Sequence, residues 1–149
     1  MSDRRRFLVS CTALAFAPVL VPHARAQHNP QREALLREVA GGAIPRSGRV
    51  LVDTPPLADN GHSVPLRIVV DSPMTAADHV RRITILAERN PRPVVASFVL
   101  GPHSGRAEIA TRIRLADIQD VLAVAQMSDG SFWMGGAHVV VTELACLEG

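Results

Sequence analysis

From residue 50 onward the chain falls into short apolar runs with a period of two. Val64, Leu66, Ile68 and Val70 alternate with Pro65, Arg67 and Val69. That period puts one set of side chains on one face of an extended strand. The same reading predicts strands over Val50–Asp53, Val64–Asp71, Val80–Ala87, Val94–Leu100, Arg106–Arg114, Val121–Met127, Ser131–Met134 and Ala137–Leu144. In Arg106–Arg114, Ala107, Ile109, Thr111 and Ile113 face one way, and most charged residues face the other. Breaks fall at Pro55-Pro56, Asn60-Gly61, Ser72-Pro73, Asn90-Pro91-Arg92-Pro93, Gly101–Gly105 and Ser128-Asp129-Gly130. The last is a hairpin signal, because Asp-Gly supplies the backbone angles of a tight turn. About seven or eight strands so spaced predict an all-β fold, a β-sandwich with a barrel as the alternative. One segment differs: Ala34, Leu35 and Val39 recur at helical spacing, so Gln31–Val39 is predicted as a short helix ended by Gly41-Gly42. Pro45–Arg49 reads as a linker.

The N-terminus has a different pattern. Arg4, Arg5 and Arg6 form a cationic head, and Phe7 to Val21 is largely apolar. Ala24-Arg25-Ala26 sets small residues two apart, which predicts cleavage between Ala26 and Gln27. The apolar stretch is too short and broken for a membrane span. Arg4-Arg5-Arg6-Phe7-Leu8, with Arg4, Arg5, Phe7 and Leu8 as its core, matches the twin-arginine signal that exports folded proteins to the bacterial periplasm. An ordinary secretory leader is the alternative. Leu8-Val9-Ser10-Cys11 is not a lipoprotein site, because the apolar core follows Cys11 instead of preceding it. The expected organisation is a signal peptide over residues 1–26, helix and linker over 27–45, sandwich over 46–144, and a C-terminal arm over 145–149. The expected compartment is the periplasm.

Processing changes the charge. The leader removes Arg4, Arg5, Arg6, Arg25 and Asp3, so 16 basic and 14 acidic residues become 12 and 13, and +2 becomes −1. The basic balance of the full chain is therefore no argument for nucleic-acid binding. Nor are Phe98, Phe132 and Trp133, the aromatics left after residue 26, much of a base-stacking surface. Cys11 leaves as well, so Cys146 is the mature chain's lone thiol, with no partner for an internal disulfide. A lone thiol on an exported protein suggests a reactive group or an intermolecular bond.

Catalytic signatures are missing from the sequence. It has no glycine-rich phosphate loop, no paired-cysteine zinc motif and no His-Glu-x-x-His. His28, His62, His79, His103 and His138 are scattered without ligand spacing, and Ser104 beside His103 lacks a base and an oxyanion hole. Asp129-Gly130-Ser131-Phe132-Trp133 reads as a hairpin turn followed by core aromatics, with a binding loop as the alternative. Cys146 follows the last predicted strand. Residues after Val141 extend by about 3.3 Å each, which gives the thiol a reach on the order of 15 Å. That geometry suits a carrier that presents a covalent group to other proteins; a frayed tail with an incidental cysteine is the plainer reading.

Four segments carry a resemblance. They are Val70-Asp71-Ser72-Pro73-Met74-Thr75, Asn90-Pro91-Arg92-Pro93, Ala107-Glu108 through Thr111-Arg112-Ile113-Arg114-Leu115-Ala116-Asp117, and Met127-Ser128-Asp129-Gly130-Ser131-Phe132-Trp133. In this order they resemble SoxY, the sulfur-carrier family of bacterial thiosulfate oxidation. The resemblance implies an immunoglobulin-like sandwich paired with a second β-sandwich subunit, SoxZ, and no cofactor on SoxY itself. It implies that Cys146 takes up thiosulfate through a SoxAX-type c-type cytochrome, as a cysteine S-thiosulfonate. A manganese-dependent SoxB-type hydrolase then releases sulfate and, where present, a molybdenum–haem enzyme oxidises the remaining sulfane sulfur. The arm departs from the family pattern, which is typically Gly-Gly-Cys-Gly-Gly. Here it reads Glu143-Leu144-Ala145-Cys146-Leu147-Glu148-Gly149. Leu and Ala restrict an arm that glycine leaves free, and Glu143 and Glu148 disfavour a thiolate and repel an anionic adduct.

Overall fold

The computed structural model describes residues 29–143. The predicted export residues Arg4, Arg5, Phe7 and Leu8, the cut at Ala26 and Gln27, and Cys146 lie outside the described residues. One helix, α1 (Pro30–Val39), precedes nine strands: β1 (Arg46–Ser47), β2 (Val50–Asp53), β3 (Leu57–Asn60), β4 (Val64–Val70), β5 (Val80–Ala87), β6 (Val94–Val99), β7 (Glu108–Ile113), β8 (Gln119–Met127) and β9 (Phe132–Glu143). The larger sheet runs β1-β9-β8-β5-β6, with β3 also paired to β9. The smaller sheet runs β2-β4-β7. Neither closes on itself, so the predicted sandwich forms and the barrel does not.

The core lies between the sheets. Val64, Leu66, Ile68 and Val70 of β4 are all buried, as their alternation predicts. They pack into one cluster with Ile83 and Ile85 of β5, Val121, Ala123, Ala125 and Met127 of β8, and Val139 of β9. β8 reads as a continuous apolar run because both its faces are covered. Leu122 and Val124 point the other way, into a second cluster with Leu36 and Leu86, against which Leu35, Val39, Phe132 and Met134 pack. Helix α1 thus lies on the outer face of the larger sheet. Its buried residue is Leu36, with Ala40 buried at the C-cap, whereas Ala34, counted in the predicted stripe, is exposed.

Three sequence expectations need correction. Ser131–Met134 and Ala137–Leu144 are not two strands: β9 runs unbroken through Gly135 and Gly136. Those glycines do not break the strand; they make room. A Cβ on Gly135 would sit 2.2 Å from the Val50 carbonyl oxygen. Arg46–Ser47, inside the expected linker, pairs parallel with Trp133 and Met134 as β1. Leu57–Asn60, where no strand is predicted, pairs parallel with Val140, Val141 and Glu143 of β9 as β3. Both strands are too short to show a period, and their partner strand is distant in sequence.

Caps fix α1 at both ends. The Asn29 side chain accepts from the Gln31 and Arg32 amides at 3.1 and 3.3 Å. Gly42 N–H donates to the Arg37 carbonyl at 2.7 Å and Gly41 N–H to the Glu38 carbonyl at 3.2 Å. Gly41 sits at φ +60°, where a side chain would be strained. Arg32 then ties the helix to the sheet. It donates to both Glu88 oxygens, at 2.9 and 2.8 Å, and to Asp120. Asp120 also meets His138 Nδ1 at 2.7 Å. Burial alone would raise the Asp120 pKa, but Arg32 and His138 outweigh it and hold it below 3.8. A depressed carboxylate contributes stability above its unfolded pKa and loses it as pH falls through the folded one. Asp120→Asn is therefore expected to destabilise the protein by about 0.5–1 kcal/mol at neutral pH, given the part-exposed site. The gap to wild type should close below about pH 4. Denaturant melts at pH 7 and pH 3 check both.

Candidate functional site

The end of β9, three positions before Cys146, is braced on several sides. Asn60 pairs with Glu143. Gly61 N–H donates to the Glu143 carbonyl at 2.8 Å, and Leu115 N–H to the Gly61 carbonyl at 2.8 Å. The Thr142 hydroxyl donates to the Asp59 carbonyl at 2.9 Å. Asn60 Oδ1 accepts from the His62 amide at 2.7 Å, which closes the turn into β4. The segment around Leu115 is itself pinned. Asn90 Nδ2 donates to the Arg114 carbonyl at 2.8 Å and its Oδ1 accepts from Ala116 N–H at 3.0 Å. Buried Gln119 donates to the same Asn90 oxygen at 2.9 Å. The Asp117 carboxyl lies below its usual pKa, through the Arg89 guanidinium first and the Ile118 amide second.

These bonds shorten the reach expected from the sequence. The chain stays paired to Glu143, two residues past Val141, so Cys146 lies three Cα–Cα steps past the brace. At about 3.3 Å each they span at most about 10 Å. The brace rests on β3, which the sequence did not reveal; the Asn60-Gly61 pair was its one visible sign.

The remaining candidates are dispersed. His62 and His103 are exposed, on the turn after β3 and in the short 3-10 helix Pro102–Ser104. His79 meets the Thr75 carbonyl through Nδ1 at 3.0 Å, and His138 meets Asp120. Ser104 Oγ accepts from Gly101 N–H at 3.1 Å and stands in no triad. No three His, Cys, Asp or Glu side chains converge as metal ligands among the described residues. The Asp129-Gly130 turn forms as expected, with Gly130 at φ +83° and Asp129 Oδ1 accepting from the Ser131 amide and hydroxyl at 2.8 and 2.6 Å. Those bonds hold the Asp129 carboxyl below its usual pKa. Phe132 and Trp133 are only partly buried. Trp133 is flanked by guanidiniums, Arg46 at 4.4 Å and Arg49 at 5.6 Å from its ring centre, a pairing the sequence did not suggest.

Solved structures share this architecture. The sulfur carrier protein SoxY from Chlorobium limicola f thiosulfatophilum is similar at 24% identity and a TM-score of 0.62, over 76% of this chain and 97% of that one. A superoxide reductase (neelaredoxin) from Ignicoccus hospitalis is similar at 15% identity and a TM-score of 0.56, over 63% of this chain and 80% of that one. A putative superoxide reductase from Thermotoga maritima aligns at 16% identity and a TM-score of 0.55, over 67% and 89%. At such identities these likenesses speak for the fold, an immunoglobulin-like sandwich. No curated protein sequence matches the chain. The family model for the sulfur oxidation protein SoxY matches residues 36–146, a span that takes in most of the described sandwich and ends on Cys146. A match over well over half of 149 residues settles the family: this chain belongs to the SoxY family.

Proposed function

We propose that this protein is a periplasmic sulfur carrier that holds thiosulfate-derived sulfur covalently on Cys146, in complex with a SoxZ-like β-sandwich subunit. The observation that carries this reading is the family match, whose final residue is the one thiol left after export processing. The braced end of β9 supports it. A strand end held this firmly three positions before the cysteine suits presentation of a thiol to a partner's active site without chemistry of its own. The protein is then a substrate for enzymes, not an enzyme.

Loading forms a sulfur–sulfur bond. The Cys146 thiol and thiosulfate give R–S–S–SO3⁻, with loss of one proton and two electrons. A SoxAX-type c-type cytochrome is the acceptor for those electrons. Hydrolysis by a SoxB-type enzyme adds water across the terminal S–S bond and yields R–S–S⁻, sulfate and two protons. One observation favours a second reading. With Leu, Ala and Glu where the family has glycine, the chain is also consistent with a SoxY-like paralogue that keeps the SoxZ-like partner but has lost or altered conjugation.

The mature protein, incubated with thiosulfate and the oxidised cytochrome partner and then weighed intact, separates the two. The carrier gains the mass of one S2O3 unit. An unchanged mass, with thiosulfate and oxidised haem both still present, refutes the carrier and leaves the paralogue.

A further inference from the structure

Strand β6 is an unguarded edge of the larger sheet. It pairs with β5 alone. Leu100 N–H donates to the Arg81 carbonyl at 2.9 Å, and the register sets Phe98 opposite Ile83 and Ala96 opposite Ile85. Bonding alternates along an antiparallel strand, so Leu100, Phe98 and Ala96 turn their backbone groups toward β5. Ser97 and Val99 turn theirs to the open side. β6 reads Val-Val-Ala-Ser-Phe-Val and is the only strand of six or more among the described residues with neither a charged side chain nor a proline. Charge and proline are the usual guards of an edge. The other long edge, β7, has them in Glu108 and Arg112. A register shift near Val94 leaves Val94, Ser97 and Val99 outward, with Val94 45% and Val99 77% exposed.

The ends of this edge carry one sign of charge. Arg81 and Arg82 flank Val99, and Arg92 lies two residues before Val94; all three are exposed. None has a carboxylate partner among the described residues. A second copy paired antiparallel across a two-fold would bring Arg92 of one chain toward Arg81 and Arg82 of the other, and like charges oppose that. We infer that β6 is the docking edge for a strand of a different protein chain, uncharged at its centre and acidic at its flanks. This rests on the reading that the chain works beside a second β-sandwich subunit. Strand addition supplies main-chain bonds, and the arginine rim supplies orientation.

Titration of the mature protein with purified SoxZ subunit at low and high salt tests the inference. Val99→Pro deletes the donor that faces the open side and spares the bonds to β5; edge strands tolerate proline there. Val99→Glu puts a repelling charge at the same exposed position and serves if the proline variant does not fold, as judged by circular dichroism. Each should weaken binding about tenfold. Arg81→Gln with Arg82→Gln should weaken it about threefold and flatten its salt dependence. If wild type binds and the folded variants bind equally well, the edge assignment falls while the two-subunit reading stands. If wild type does not bind, both fall. Self-association of wild type that Val99→Glu abolishes would overturn the assignment in favour of a second copy.

Discussion

Gly135→Ala is expected to destabilise the protein by about 3 kcal/mol and to lower Tm by on the order of 10 °C. The new Cβ would lie 2.2 Å from the Val50 carbonyl oxygen and 3.0 Å from its carbonyl carbon. Those are backbone atoms, held by the β2–β4 ladder, in which Val50 pairs with Val70. Relief requires β2 to shift away from β9 and so disturbs the junction between the two sheets. Gly136→Ala is the internal control. There the short contact, 2.6 Å, is to Leu122 Cδ2, the far end of a flexible side chain, although the Val121 carbonyl oxygen at 3.3 Å is also tight. A rotamer change relieves most of that clash, so its cost should be clearly smaller, about 1 kcal/mol. Equal melting temperatures for the two variants would contradict this account of how β9 meets β2.

Cys146→Ala should abolish sulfur conjugation outright, because the other cysteine, Cys11, falls within the expected leader. The residues around it should set the rate. A carboxylate about 7 Å from a thiolate in water raises its energy by about 0.6 kcal/mol, roughly a threefold effect. Leu144 and Leu147 place bulky side chains on either side of the cysteine along the chain. Replacing Leu147 and Glu148 together by glycine should therefore speed conjugation about three- to tenfold. Single-turnover mass spectrometry gives the rates directly. An unchanged rate would mean that the arm's stiffness and charge do not limit loading.

The sandwich was legible because its central strands obey simple rules. β4 alternates over one buried face, and β5 begins and ends where Val80 and Ala87 predict. Tight turns such as Asp129-Gly130 announce themselves through the angles they need. What escaped was non-local. β1 and β3 owe their extended form to β9, not to any pattern of their own. Gly135 and Gly136 sit mid-strand because β2 and Leu122 come close, a requirement invisible until the chain is folded. The link from Arg32 to Glu88 and Asp120 joins residues 56 and 88 positions apart. Cys146 stood out on arithmetic alone, as the one cysteine outside the expected leader. The brace at Gly61 and Asp59 that anchors its approach did not, because it depends on β3.

The central claim is that Cys146 is the point of sulfur attachment. Arg114 is the last arginine before Cys146, so the tryptic peptide that begins at Leu115 contains this cysteine. Thiosulfate and the oxidised cytochrome partner are added to the mature protein, which is digested without reductant and sequenced by tandem mass spectrometry. The account predicts one S2O3 unit on Cys146 in that peptide, and none in Cys146→Ala. An unmodified peptide from wild type, or an adduct that persists in Cys146→Ala, would contradict it.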